Sequence, residues 1–161
     1  MNRLCYPTRL ALVTLGFGML AGTAAAQPDW RARPQTSATL ESGFTPDPHV
    51  IEVRAGGSDR NAISGNGCAG YINNAQPTVN LTYTAGRGRL VIYVRADEDT
   101  TLLVNDASGN WHCSDDFEGS NPAIILDNPA SGQYNIWVGT YTQDGAGLPA
   151  TVYISERVPR R

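Results

Sequence analysis

The alternation of apolar and polar positions divides the chain at His49. Beyond it come short runs of β-branched and aromatic residues, interrupted by Gly, Asn, Asp and Pro. Side chains on a strand point alternately to opposite faces, so such runs predict strands joined by tight turns. The marked segments are 49–54, 68–72, 78–84, 89–95, 100–105, 110–114, 123–126, 133–141 and 150–155. Period two puts Val79, Leu81 and Tyr83 on one side of their strand. The same reading groups Leu90 with Ile92 and Val94, Tyr134 with Ile136 and Val138, and Val152 with Ile154, and these residues form the expected core. No segment combines helical length with helical period. The expected fold class is all-β, a jelly-roll-like antiparallel β-sandwich of about eight or nine short strands.

Upstream of His49 the pattern is different. Arg3 and Arg9, the apolar run from Leu10 to Leu20, and Ala24-Ala25-Ala26 read as a secretory signal peptide over residues 1–26, cut after Ala26. The apolar run is shorter than the roughly 20 residues a membrane span needs, and no second one follows. The expected location is therefore secreted or periplasmic, with no membrane span. Residues 27–47, rich in Pro, Ser, Thr and Arg, are expected to be a flexible N-terminal arm; 48–156 the sandwich; and 157–161 a basic tail. Cleavage leaves two cysteines, Cys68 and Cys113. In an oxidising compartment that even pair reads as one disulfide, which chain entropy values at roughly 4 kcal/mol. The alternative is two buried free thiols.

Charge adds candidate chemistry. Between Asp97 and Asp127 stand eight carboxylates and no Lys or Arg. An acidic body argues against nucleic acid and anionic membrane as partners. The segment Asp106-Ala107-Ser108-Gly109, flanked by Asn105 and Asn110, reads as a four-residue hairpin loop. That register sets Val104 opposite Trp111, Leu102 opposite Cys113, Thr100 opposite Asp115 and Asp99 opposite Asp116. Leu102, Val104, Trp111 and Cys113 then face inward, which makes an inter-sheet bridge to Cys68 reasonable. Asp97, Asp99, Asp115 and Asp116 converge at the open end, where like charges destabilise a sheet unless a cation joins them. Calcium, which takes oxygen ligands, is the expected ion, with Asn121 or Glu118 assisting. The alternative is a solvated acidic rim.

The run from Asp99 to Trp111, then Asp115-Asp116, Asn121-Pro122 and the segment Ser131 to Val138, resembles the bacterial pre-peptidase C-terminal domain. The likeness covers roughly residues 50–155. It implies a jelly-roll-like sandwich of the kind appended to secreted peptidases, some members of which bind calcium and assist substrate or matrix binding. The Cys68/Cys113 pair is not part of that family's general pattern, and no catalytic domain accompanies the module.

No catalytic residues are expected. A Ser-His-Asp mechanism needs base, orienting acid, nucleophile and oxyanion hole in one cleft. His49 lies at the arm boundary and His112 is expected to project outward beside Leu103, away from any nucleophile motif. Alternation also exposes Trp137, Tyr93 and Tyr153, which could stack on a ligand. The expected function is a non-catalytic exported accessory or binding module with a calcium-stabilised acidic hairpin, acting on an extracellular or periplasmic protein or polysaccharide. The alternatives are a carbohydrate-binding module using surface Trp and Tyr and, remotely, a peptidase-associated protein with hydrolase activity.

Overall fold

The computed structural model describes residues 27–65 and 67–159, so the expected leader and its cleavage point lie outside the described residues. Eleven strands follow in order: β1 Thr36–Glu41, β2 His49–Ala55, β3 Asp59–Arg60, β4 Tyr71–Ile72, β5 Val79–Thr84, β6 Leu90–Arg95, β7 Thr100–Asn105, β8 Trp111–Ser114, β9 Ala123–Leu126, β10 Gly132–Thr140 and β11 Leu148–Ser155. A single 3-10 turn, Gln143–Gly145, precedes β11.

Pairing explains the architecture. β7 pairs with β8, β6 with β9, β5 with β10 and β2 with β11, all antiparallel. Each pair encloses the one before it in sequence, and successive pairs alternate between the two sheets. A long hairpin rolled across two layers gives this nesting, which is jelly-roll topology. β10 joins β7 to close one sheet, and β11 joins β6 to close the other. The first is here called the front sheet and the second, β2-β11-β6-β9, the back sheet.

Between them lies the expected core. Val79, Leu81, Tyr83, Leu90, Ile92, Val94, Tyr134, Ile136, Val138, Val152 and Ile154 are buried in one cluster, joined by Leu102 and Val104. Truncating one of its Leu or Ile residues to Ala costs about 2–5 kcal/mol. A second, smaller cluster of Ile72, Leu103 and Trp137 sits on the outer side of the front sheet, with Ile63, Trp111 and Cys113 packed against it.

Two expectations need correction. Residues 27–47 are not all outside the fold: β1 runs parallel to β5 along the front-sheet edge, with Ala38 and Leu40 packed on the core. Its alternation is carried by small residues, so the apolar signal is faint. The expected strand over 68–72 shrinks to β4, because most of 61–70 forms the loop carrying Cys68. Gly70 lets that loop press onto β7 and β10: at φ +83, a Cβ there would stand 2.4 Å from Thr140 O.

Candidate functional site

Strands β7 and β8 form the expected hairpin, one residue out of the expected register. Asn105 stands opposite Trp111, Val104 opposite His112, Leu103 opposite Cys113 and Leu102 opposite Ser114. The loop has three residues, since the Asp106 N–H donates to Asn110 O at 2.9 Å. Gly109 adopts φ +84, the left-handed position that completes a three-residue loop after a type I turn. A slip of one turns every side chain over. Trp111 and Cys113 therefore share the outer side with Leu103, and His112 shares the side of Val104. The Cys68–Cys113 bridge is present, with Cα atoms 4.9 Å apart. It does not join the sheets; it fastens the 61–70 loop over the outer cluster.

The slip also divides the expected calcium ligands. Asp97 lines an open groove of about 810 Å³ together with Glu52, Arg54 and Arg95. Asn121 Oδ1 accepts the Ala96 N–H at 3.0 Å. Glu118 is ion-paired with Arg95. Only Asp99, Asp115 and Asp116 stay neighbours: partial burial, then the charges of Asp116 and Asp115, raise Asp99 above the usual carboxylate value. Among the described residues no three carboxylate, histidine or cysteine side chains are placed to hold one metal ion.

Two other carboxylates are heavily engaged. Asp106 Oδ1 accepts the N–H groups of Ser108 and Asn110, each at 2.8 Å, and Oδ2 accepts from His112 Nε2 at 2.8 Å. Burial alone would raise Asp106; the bond from His112 and those from Asn110 and Ser108 outweigh it, holding the carboxyl below its usual value. Glu156 accepts from the Ser42 hydroxyl at 2.6 Å, the Tyr83 hydroxyl at 2.9 Å and the Gly43 N–H at 3.0 Å. The Ser42 bond leads in lowering Glu156. Burial first, then the bond to Glu156, pushes Tyr83 up to about 12. These groups tie the β1–β2 turn and the residues after β11 to the core.

The expected stacking aromatics separate. Trp137 is buried, not exposed: its indole N–H donates to Asn73 O at 3.1 Å, and its ring lies 5.5 Å from that of Trp111. Tyr93 and Tyr153 do reach the outer side of the back sheet, where they stand opposite each other in register. Their rings are stacked, centroids 4.8 Å apart and 5° from parallel. Two of the faces that could stack on a ligand are turned toward each other. Val50, 50% exposed, stands opposite Tyr153, and Ala123 opposite Tyr93, so an apolar strip crosses all four strands.

No family model and no curated protein match the chain. Among solved structures it is similar to the pre-peptidase C-terminal domain of collagenase from Bacillus anthracis, at 15% identity over 76% of this chain and 96% of that one, with a TM-score of 0.42. It is also similar to PliG of Aeromonas hydrophila, a periplasmic inhibitor of g-type lysozyme, at 15% identity over 77% of this chain and 98% of that one, with a TM-score of 0.39. Neither likeness carries a functional argument. The candidate site rests on this chain's own residues.

Sequence reasoning passed over the Asp106–His112 pair by reading Asp106 as a turn residue alone. A signal was available: Asp106, Ser108, Asn110 and His112 recur at every second position through the turn. The back-sheet strip needed strand order, which alternation does not supply. Among the described residues, no helix is long and apolar enough to cross a membrane.

Proposed function

We propose that the chain is an exported, non-catalytic binding module that meets a protein partner through the outer side of its back sheet. The observation carrying this reading is the strip Val50–Tyr153–Tyr93–Ala123. It runs across four strands with no strand layer over it among the described residues, and Glu52, Thr151 and Arg95 form the next row. An aromatic centre with a polar and charged border is the composition of recognition surfaces, and tyrosine is enriched where their binding energy concentrates. The bridged cysteine pair fits an oxidising compartment and supports export.

The absence of turnover is supported by how the titratable groups are used. Asp106 and Glu156, the carboxylates drawn furthest into hydrogen bonds, spend them on a turn and on a chain closure. The His112 ring bonds Asp106, and no Ser, Thr or Cys side chain completes a relay there among the described residues. We carry calcium as a separate proposal, reduced to the corner of Asp99, Asp115 and Asp116: as placed these side chains do not form one ligand set, so an ion would have to draw them together, and the scattering of Asp97 and Asn121 removes the larger set.

Placing a photo-crosslinking amino acid at Val50 in a secreting bacterium tests the reading. A discrete crosslink to another exported protein, lost in Tyr93→Ala/Tyr153→Ala, is expected. No crosslink, or hydrolysis of chromogenic peptide, ester or glycoside substrates that disappears in His112→Ala, would refute it.

A further inference from the structure

The back sheet ends on an open edge at β2. The Ala55 carbonyl accepts from the N–H of Gly147, just before β11, at 2.8 Å. Main-chain groups alternate in direction along a strand, so Ile51, Val53 and Ala55 turn theirs toward β11, while Val50, Glu52 and Arg54 turn theirs away from it. Among the described residues no strand pairs with β2 on that side. The edge also lacks the usual devices that keep sheets from joining. β2 has no proline or glycine, its ladder to β11 is continuous from His49 to Ala55, and its inward positions Ile51 and Val53 are apolar. Both pack against the main core yet stay partly exposed, so the core is left uncovered along this flank.

Charge decides what fits there. Glu52 and Arg54 are exposed on the outer side of the sheet, and among the described residues neither has an ion-pair partner. Arg54 donates one guanidinium N–H to Gly147 O at 3.2 Å. A second copy joined about a two-fold axis runs antiparallel, and residues that stand opposite must share main-chain direction, so the axis passes at a residue and not between two. An axis at Glu52 sets that residue against itself, and one at Arg54 does the same for Arg54; like charges directly opposite destabilise a sheet. An axis at Ile51 sets Glu52 against Val50 and gains no ion pair. An axis at Val53 sets Glu52 of each copy opposite Arg54 of the other. Both of these pairs then exchange main-chain N–H···O bonds in each direction and carry a side-chain ion pair as well. β1, the edge of the front sheet, has Glu41 as its one charged residue, so no register there gains an ion pair.

We infer that β2 is a dimerisation edge, at which two copies of this chain pair antiparallel about Val53 with Glu52 opposite Arg54. Ile51 meets Ala55 and Val53 meets itself on the inner side, which covers the exposed flank of the core. The two four-stranded back sheets become one continuous sheet with both tyrosine strips on the same side, so a repeated partner would be held at two points. The pairing does not depend on what the strip binds. Its contact over residues 51–55 is roughly 17 Å long. That is small for a specific interface, so association in the micromolar range is expected.

Sedimentation of the disulfide-bonded protein from about 5 to about 500 µM tests this. A reversible monomer–dimer equilibrium is expected. Glu52→Arg and Arg54→Glu each turn two attractive pairs into repulsive ones and should weaken it at least tenfold. Both residues are exposed, so each variant should melt within about 3 °C of the parent. An equimolar mixture of the two variants should restore the dimer, because each copy supplies the charges the other lacks. A protein monomeric throughout, a dimer indifferent to both reversals, or a mixture that stays monomeric would overturn the inference. Tyr93→Ala/Tyr153→Ala should leave the dimer unchanged; its loss there would assign the contact to the tyrosine strip and overturn the edge pairing. Failure of the charge reversals beside a Val50 crosslink to a different protein would sink the edge pairing and leave the protein-binding reading intact; their success without such a crosslink would do the reverse.

Discussion

Replacing both bridged cysteines, Cys68→Ala with Cys113→Ala, tests how the outer cluster is held. The bridge closes a loop of sequence separation 45. Chain entropy puts its contribution at about 4 kcal/mol. A body of roughly 130 residues has an unfolding entropy near 0.28 kcal/mol/K at its midpoint, so that loss corresponds to a fall in Tm of about 14 °C. A second, independent readout exists because Ile63, in the fastened loop, packs against the cluster containing Trp137 and Leu103. Freeing the loop should let water reach the paired indoles and shift tryptophan emission to longer wavelength before global unfolding. Circular dichroism melts and emission spectra of the oxidised protein and the double variant measure both effects. A Tm within about 3 °C of the parent, together with an unchanged emission spectrum, would show that the loop is held by packing alone and that the bridge does not fasten it.

Three further outcomes are expected. Asp106 sits below its unfolded carboxyl value, so its contribution is fully present above that value and is lost as pH falls through the folded one. Asp106→Asn should cost about 1–2 kcal/mol at neutral pH and flatten the acid limb of a Tm-against-pH curve; an unaltered limb would contradict the hydrogen-bond account. Tyr83 is displaced in the opposite sense, from 10.0 up to about 12. The folded state therefore keeps a proton that the unfolded state releases, and stability should decline between those two pH values. In Tyr83→Phe that decline should shrink, and an equal decline would assign it to another group. At the acidic corner, Asp99→Asn relieves repulsion and should raise Tm slightly in chelator; if the corner binds Ca²⁺, the parent melts several degrees higher with excess calcium and the variant gains less. Coincident parent melts would end the calcium proposal.

Much of the fold was legible from alternation because β5 and β11 bury their apolar residues on one side only. Val79, Leu81 and Tyr83 alternate with Asn80, Thr82 and Thr84, and only one phase buries the apolar set. Strand β7 breaks that logic. Leu102 and Val104 face the main core, while Leu103 faces the outer cluster, so the strand is buried on both sides. An apolar run without alternation does not specify register. The only local information left was the turn, where Asn105 and Asn110 made a four-residue loop as plausible as the three-residue loop that Gly109 completes.

That single-residue difference decides what the hairpin can do. In the expected register, Trp111 would have been core, and the aspartates beyond it would have met across the strands. In the observed register Asp106 turns to His112, Cys113 reaches the 61–70 loop, and Trp111 moves beside Asn105 on the outer side of the front sheet. The disulfide and the contact between the Trp111 and Trp137 rings thus depend on the same geometry. A Cys113 variant that kept the fold but let β8 slip back by one should lose the contact between Trp111 and Trp137 and shift the tryptophan emission with it, whereas a Val50 crosslink through the tyrosine strip on the opposite sheet should be unaffected; an unchanged emission spectrum in such a variant would refute the dependence.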